Sequence, residues 1–227
     1  MEPQPIAFHL GAFGISAAVV TTWGIMLVLA LASLLATRAL GEHPGKLQTV
    51  LEGAVMAIEN SIAALFPQRP RMLLPFVGTL WVFLVVANLA GIVPGLHSPT
   101  GDLSLTAALA ILVFLSVHWY GVRAAGWRAY LRHYLSPSPL LLPFHLMSEL
   151  SRTVALAIRL FGNMASLEMA ALLVLLVAGF LVPVPILLLH VVEALVQAYI
   201  FGMLALVYIA SGIQAQRLPR ETTETST

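Results

Sequence analysis

Residues 140–182 read LLLPFHLMSELSRTVALAIRLFGNMASLEMAALLVLLVAGFLV, with Glu149, Arg152, Arg159 and Glu168 as the only charged side chains. One α-helix of that length would be about 65 Å long, roughly twice the ~30 Å thickness of a bilayer's hydrocarbon core. The run is therefore either broken or steeply tilted against a neighbour. Gly162 and Gly179 could flex it, but its proline, Pro143, stands at the start, where a helix tolerates one. A long tilted helix is the better reading, and a second apolar run, 185–216, can pair with it as a hairpin.

The rest of the chain agrees with a membrane setting. Of 227 residues, 59% are hydrophobic and 9% charged, against about 25% charged in an ordinary soluble domain. Too little polar surface is available to clothe a soluble fold, so a soluble enzyme, a disordered tail and a nucleic-acid binder are excluded. The absence of cysteine excludes disulfide frameworks, thiolate metal sites and cysteine nucleophiles. The amino-terminal MEPQPIAFHL carries no basic residue ahead of an apolar core and does not read as a cleavable signal.

Apolar runs between charges divide a single membrane domain, 1–227. An outer segment 1–15 precedes helices at 16–38, 46–66, 72–93, 103–122, 140–182 and 185–216, with a polar tail at 217–227. The second of these differs from the others. Gln48, Glu52 and Glu59 share one helical face, with Val50, Leu51, Val55, Ile58, Ile62 and Leu65 around the other. That amphipathic pattern fits a helix lying in the interface; a spanning helix with paired carboxylates is the alternative. Basic residues separate the two. If the second helix does not cross, the loop positions Arg38, Lys46, Arg69, Arg71, Arg123, Arg128, Arg132, Arg217 and Arg220 all fall on one side. If it does cross, both sides are mixed, against the positive-inside rule. The expected fold is thus an all-α integral membrane protein. It has about five transmembrane helices plus one amphipathic interfacial helix, the amino terminus outside and the carboxy terminus cytoplasmic.

Charge inside an apolar helix costs about 2.5–3.5 kcal/mol on insertion scales. Glu149 and Arg152, three residues apart near one end of the run, can pair and reach the interface. Arg159 has no acidic residue at i±3 or i±4 on its own helix, while Arg152 and Asn163 share its face. Its counter-charge is either Glu193 on the adjoining helix or a group on another chain or water path. Glu168, nine residues on, projects from the opposite side of the helix. On the last helix His190, Glu193 and Gln197 fall at i, i+3 and i+7, and Tyr208 extends that stripe. A stripe of titratable and amide groups in an apolar hairpin can pass protons between waters.

IRLFGNM (158–164) followed by Glu168, and QAYIF (197–201) preceded by His190, resemble subunit a of the F-type ATP synthase. Weaker matches in the same order are PGKLQ (44–48) with Glu52, NLAGIVPG (88–95) and GDLSLTAALA (101–110). The resemblance implies a stator channel subunit, not an enzyme on its own, that couples ion flow to rotation in a bacterial inner membrane. Arg159 matches the stator arginine that faces the carboxylates of the c-subunit ring and blocks leakage between two offset half-channels. Asn163 lines the same surface, and Gln197 matches the glutamine that supports the arginine. Glu168 and His190 match the polar pair of the half-channel open to the outside, and Glu193 lies on its stripe. The implied partners are the c-ring, a b-type peripheral stalk, the lipid bilayer and a translocated proton or sodium ion. No cofactor, metal or nucleic acid is implied. Two departures stand out: Ser166 and Leu167 replace the small pair usual before Glu168, and Glu193 accompanies His190.

Rival classes fit less well. The chain has neither HExxH nor GxSxG. A secondary ion transporter usually shows internal repeats and broken helices, and a channel subunit of another complex leaves the motif order unexplained.

Overall fold

In hydrocarbon no water satisfies a backbone N–H or C=O, so an apolar run becomes a helix that bonds to itself. The computed structural model describes residues 6–10, 13–38, 45–67, 70–93, 98–128, 130, 142–178 and 183–215. Six long helices appear among them: α1 (Ala17–Arg38), α2 (Lys46–Leu65), α3 (Pro70–Leu89), α4 (Leu103–Ala125), α5 (Leu142–Ala178) and α6 (Pro183–Ala215). A 3-10 turn, Ala90–Ile92, prolongs α3, and a second, Pro99–Gly101, leads into α4. Asp102 caps α4, its carboxylate accepting from the Ser104 backbone N–H at 2.8 Å. Prolines open α3 and α6, where a missing N–H costs no intrahelical bond.

Four helical segments are long and apolar enough to cross a membrane: Ala17–Arg38, Pro70–Ile92, Leu103–Ala124 and Leu187–Ile213. α5 runs 37 residues without a break, about 55 Å, and carries Glu149, Arg152, Arg159 and Glu168. The molecule is an all-α membrane protein with one departure that hydropathy did not indicate. Residues Ile6–Leu10 and Phe13–Ser16 form an antiparallel β-hairpin ahead of α1. Of the segments expected from sequence, 1–5, 140–141, 179–182, 216 and the tail 217–227 lie outside the described residues. So do Arg69, Arg132, Arg217 and Arg220.

The core is a bundle of α3, α4, α5 and α6, with α1 and α2 at its edge. One cluster joins Leu80, Leu84, Leu109, Leu160 and Phe201; a second joins Ile62, Leu73, Val77, Leu206 and Ile209. Without a hydrophobic drive between helices in lipid, close packing depends on small residues. α6 supplies them at Ala194, Ala198, Gly202, Ala205 and Ala210, all buried. Gly202 shows why: a Cβ there would stand 1.5 Å from Trp81 Nε1. That indole instead lies flat on the Tyr199 ring, centroids 5.8 Å apart, and donates to the Tyr199 carbonyl at 3.4 Å.

α2 has two halves. Ile58, Ile62, Leu65 and Phe66 pack on α3, and Glu59 meets Arg71 at 3.2 Å. Val50, Leu51, Val55 and Met56 remain exposed, while Gln48 Nε2 donates to Glu52 at 2.8 Å. In this half the exposed apolar side chains stand beside the polar ones along the helix.

Candidate functional site

The polar residues of α5 and α6 fall at three levels along the hairpin. Seven residues of rise separate His190 from Gln197, about 10 Å, and eleven more separate Gln197 from Tyr208, about 17 Å.

The middle level holds Arg159, Asn163 and Gln197. Asn163 Nδ2 on α5 donates to Gln197 Oε1 on α6 at 2.7 Å. Gln197 is 1% exposed, and its Nε2 has no partner among the described residues. Arg159 sits one turn before Asn163 but projects outward. It is exposed on an apolar surface shared with Leu150, Val154, Ala155 and Ile158. Among the described residues it has no ion pair, with Glu193 or any other group. A guanidinium has donors only, so it needs an acceptor, and the Gln197 amide oxygen takes its hydrogen bond from Asn163 instead.

The second level is the His190 end. His190 is 3% exposed and its Nε2 has no partner among the described residues. Beside it lies a buried cluster not singled out as a site from the sequence: Asn88 at the end of α3, and Ser98 and Thr100 before α4. Thr100 Oγ1 donates to Asn88 Oδ1 at 2.7 Å, and Asn88 Nδ2 donates to the Ala194 carbonyl of α6 at 3.1 Å. Ser98 Oγ donates to the Ala87 carbonyl at 3.1 Å and lies 2.7 Å from Thr100 Oγ1. The available signal was three polar side chains at the ends of otherwise apolar runs. Glu193 is half-buried on α6. Glu168 lies within α5, but its side chain is outside the described residues; Leu167 before it is buried and Ser166 exposed.

The third level is the Tyr208 end, so the stripe that joins Tyr208 to His190 in sequence spans two separate places. A half-open cavity of about 270 Å³ lies between α4, α5 and α6, lined among others by His145, Glu149, Arg152, Tyr208 and Ser211. Glu149 meets His118 of α4 at 3.6 Å, rather than Arg152 on its own helix. Arg152 lies over the Tyr208 ring, 5.8 Å from its centroid, a cation–π contact. Among the described residues no group of three or more acidic or histidine side chains is arranged to hold a metal.

Comparisons with known proteins bear on this arrangement. The family model described as ATP synthase A chain matches residues 19–210. The chain is 64% identical over 210 residues to ATP synthase subunit a 1 of Hahella chejuensis, covering 92% of this chain and 89% of that protein. It is 59% identical over 224 residues to ATP synthase subunit a 2 of Pelobacter propionicus, covering 97% and 98%. ATP synthase subunit a of Legionella pneumophila is 54% identical over 213 residues, with 93% of each chain covered.

Proposed function

The chain belongs to the ATP synthase A chain family, and on that premise we propose how its bundle serves as the ion-translocating stator of that machine's membrane sector. It is a channel component and not a catalyst by itself. The observation that carries the reading is the exposed Arg159, on an apolar face and without a counter-charge among the described residues. A fixed cation in hydrocarbon is costly unless an anion meets it, and the anion here is a carboxylate of the rotating c-ring.

The mechanism follows from that contact. A ring carboxylate is neutral where it faces lipid, because bare charge there is too costly. Beside Arg159 it ionises and releases its ion. Asn163 holds the Gln197 oxygen at 2.7 Å, which leaves the arginine fork turned toward the rotor rather than tied within its own chain. One dead-end path reaches this level from the His190 end, by Glu168, His190 and Glu193. The other reaches it from the cavity at Tyr208 and Glu149. Two dead-end paths offset in this way let ions pass only by riding the ring.

In this account the chain crosses the bacterial inner membrane five times as one membrane domain, with α2 in the interface. The amino terminus and the His190 end face outside; the carboxy terminus and the Tyr208 end face the cytoplasm. A b-type peripheral stalk holds the subunit against the ring, and the ion is a proton or sodium. Arg159→Ala is expected to abolish ATP-driven ion pumping and ion-driven synthesis in membrane vesicles. Arg159→Lys fails largely too, because lysine lacks the planar fork and loses its proton more readily when desolvated. Coupled synthesis retained in Arg159→Ala vesicles would overturn the reading.

A further inference from the structure

The buried cluster at the His190 end has no place in the mechanism above, yet it touches both elements that frame the imidazole. Asn88 and Thr100 are 0% exposed, and Ser98 and His190 are each 3% exposed. Asn88 spans two helices: its carbonyl takes the Thr100 hydroxyl, and its amide N–H reaches the Ala194 carbonyl, one turn beyond His190 on α6. Ser98 ties the same segment to Ala87 of α3. The segment before α4 is thus fastened to α3 directly and to α6 through Asn88.

Gly91 shows how closely that segment approaches the histidine. A Cβ on Gly91 would lie 3.0 Å from Ser98 Cβ and 3.5 Å from His190 Nε2. A side chain at 91 would press on both, so the absence of one lets α3, Ser98 and the imidazole edge meet. The hydroxyls carry a further property. Ser98 and Thr100 have one O–H proton each, yet their oxygens make three short contacts: to Ala87, to Asn88 and to each other. The network therefore has more than one proton arrangement without moving a heavy atom. A buried donor–acceptor set of this kind fixes position strongly, because each unmade bond there leaves an unsolvated polar atom.

We propose that Asn88, Ser98 and Thr100 are positioning residues of the ion path, clamping the segment before α4 onto α3 and α6 so that the His190 ring is held with Nε2 against the Gly91–Ser98 niche. The inference rests on the assignment of His190 to that path and goes beyond it by naming what holds the ring. None of the three touches the ion. They act through the imidazole.

The test uses the whole assembled complex. Thr100→Val, close in shape but without the hydroxyl, is expected to slow ATP-driven pumping by about tenfold, the factor of one unsatisfied buried hydrogen bond. Thr100→Ser, which restores the hydroxyl, recovers most of the rate. The second readout is the nitrogen NMR signal of the His190 ring in histidine-labelled complex, identified by its loss in His190→Gln. In Thr100→Val that signal shifts or splits, and in Thr100→Ser it stays at the parent position. If Thr100→Val does not assemble, Ser98→Ala goes through the same two measurements with the same expectations. An unmoved His190 signal in the assembled variant overturns the proposal, whatever the pumping rate does, since a merely structural role lowers assembly and leaves the ring alone. Full pumping by His190→Gln contradicts the placing of His190 in the ion path instead, and it leaves the ring signal readable as a separate result.

Discussion

The two ends of the α5–α6 hairpin handle polar groups in opposite ways. At the His190 end, near the half-buried Glu193, a buried cluster of hydroxyls and an amide, Asn88, Ser98 and Thr100, bonds within itself or to backbone carbonyls. At the Tyr208 end titratable side chains, His145, Glu149 and Arg152 among them, line a half-open cavity of about 270 Å³. His118 and Glu149 there keep 30% and 22% of their side chains exposed. The difference teaches what each end can tolerate. A charge is cheap where water enters and costly where it does not, so the closed cluster beside His190 is built of hydroxyls and amides. A buried hydrogen bond at the tight end fixes geometry; an ion pair in the roomy end contributes little to stability and much to the local field.

The comparison can be broken first at the seam between the ends. Gly202 lies between the two levels, and Gly202→Ala would drive a methyl into Trp81. A loss of about 3 kcal/mol or more is expected, at or beyond the usual range for overpacking. It would be read as less chain in assembled complexes and earlier thermal disassembly; wild-type assembly would show that α3 and α6 are not packed as described. The next largest effect belongs to the tight end. Asn88→Ala removes the acceptor of the Thr100 hydroxyl and the amide donor to the Ala194 carbonyl, and it is expected to cost about 1–3 kcal/mol, measured by thermal disassembly of the purified complex. No loss would mean that this end is wetter than its burial implies.

At the middle level, Asn163→Ala removes the bond that fixes the Gln197 oxygen. Pumping is expected to fall between about twofold and tenfold, the range of one net hydrogen bond, with assembly unchanged. A rate at the parent value would show that the two amides do not set the arginine's direction. The smallest effect is expected at the roomy end. A double-mutant cycle on His118 and Glu149 should give about 0.2–1 kcal/mol of coupling in thermal disassembly, as for an ion pair in contact with water. A coupling of several kcal/mol would sharpen the contrast differently, by making that end dry.

Much of this was readable in the chain itself. Apolar runs located the helices, because in lipid a backbone has few other solutions. The Gln48, Glu52 and Glu59 face marked α2, and Arg159 stood out for want of a partner within one turn. What escaped was contact between elements. Glu149 finds His118 on another helix rather than Arg152 three residues away, and no periodicity encodes that choice. Asn88 and Thr100 meet because the end of α3 and the turn before α4 fold together beside α6. Tyr208 shares a stripe with His190 by angle, but about 27 Å of helix rise places it in a different chamber. The hairpin at Ile6–Leu10 and Phe13–Ser16 is too short to show above the apolar background. Helical spacing gives direction around an axis, and the site depends equally on height along it.

The central claim is that the Arg159 face meets the rotor, and cysteine cross-linking tests it most directly, since the chain has no cysteine of its own. Ala155→Cys and Ile158→Cys lie on the exposed arginine face, while Leu160→Cys points into the core at 0% exposure. Each is combined with a cysteine one turn from the ring carboxylate of the c subunit and oxidised in membranes. A cross-linked product is expected at 155 and 158 and none at 160. No product at either exposed position, or an equal yield at 160, would contradict it.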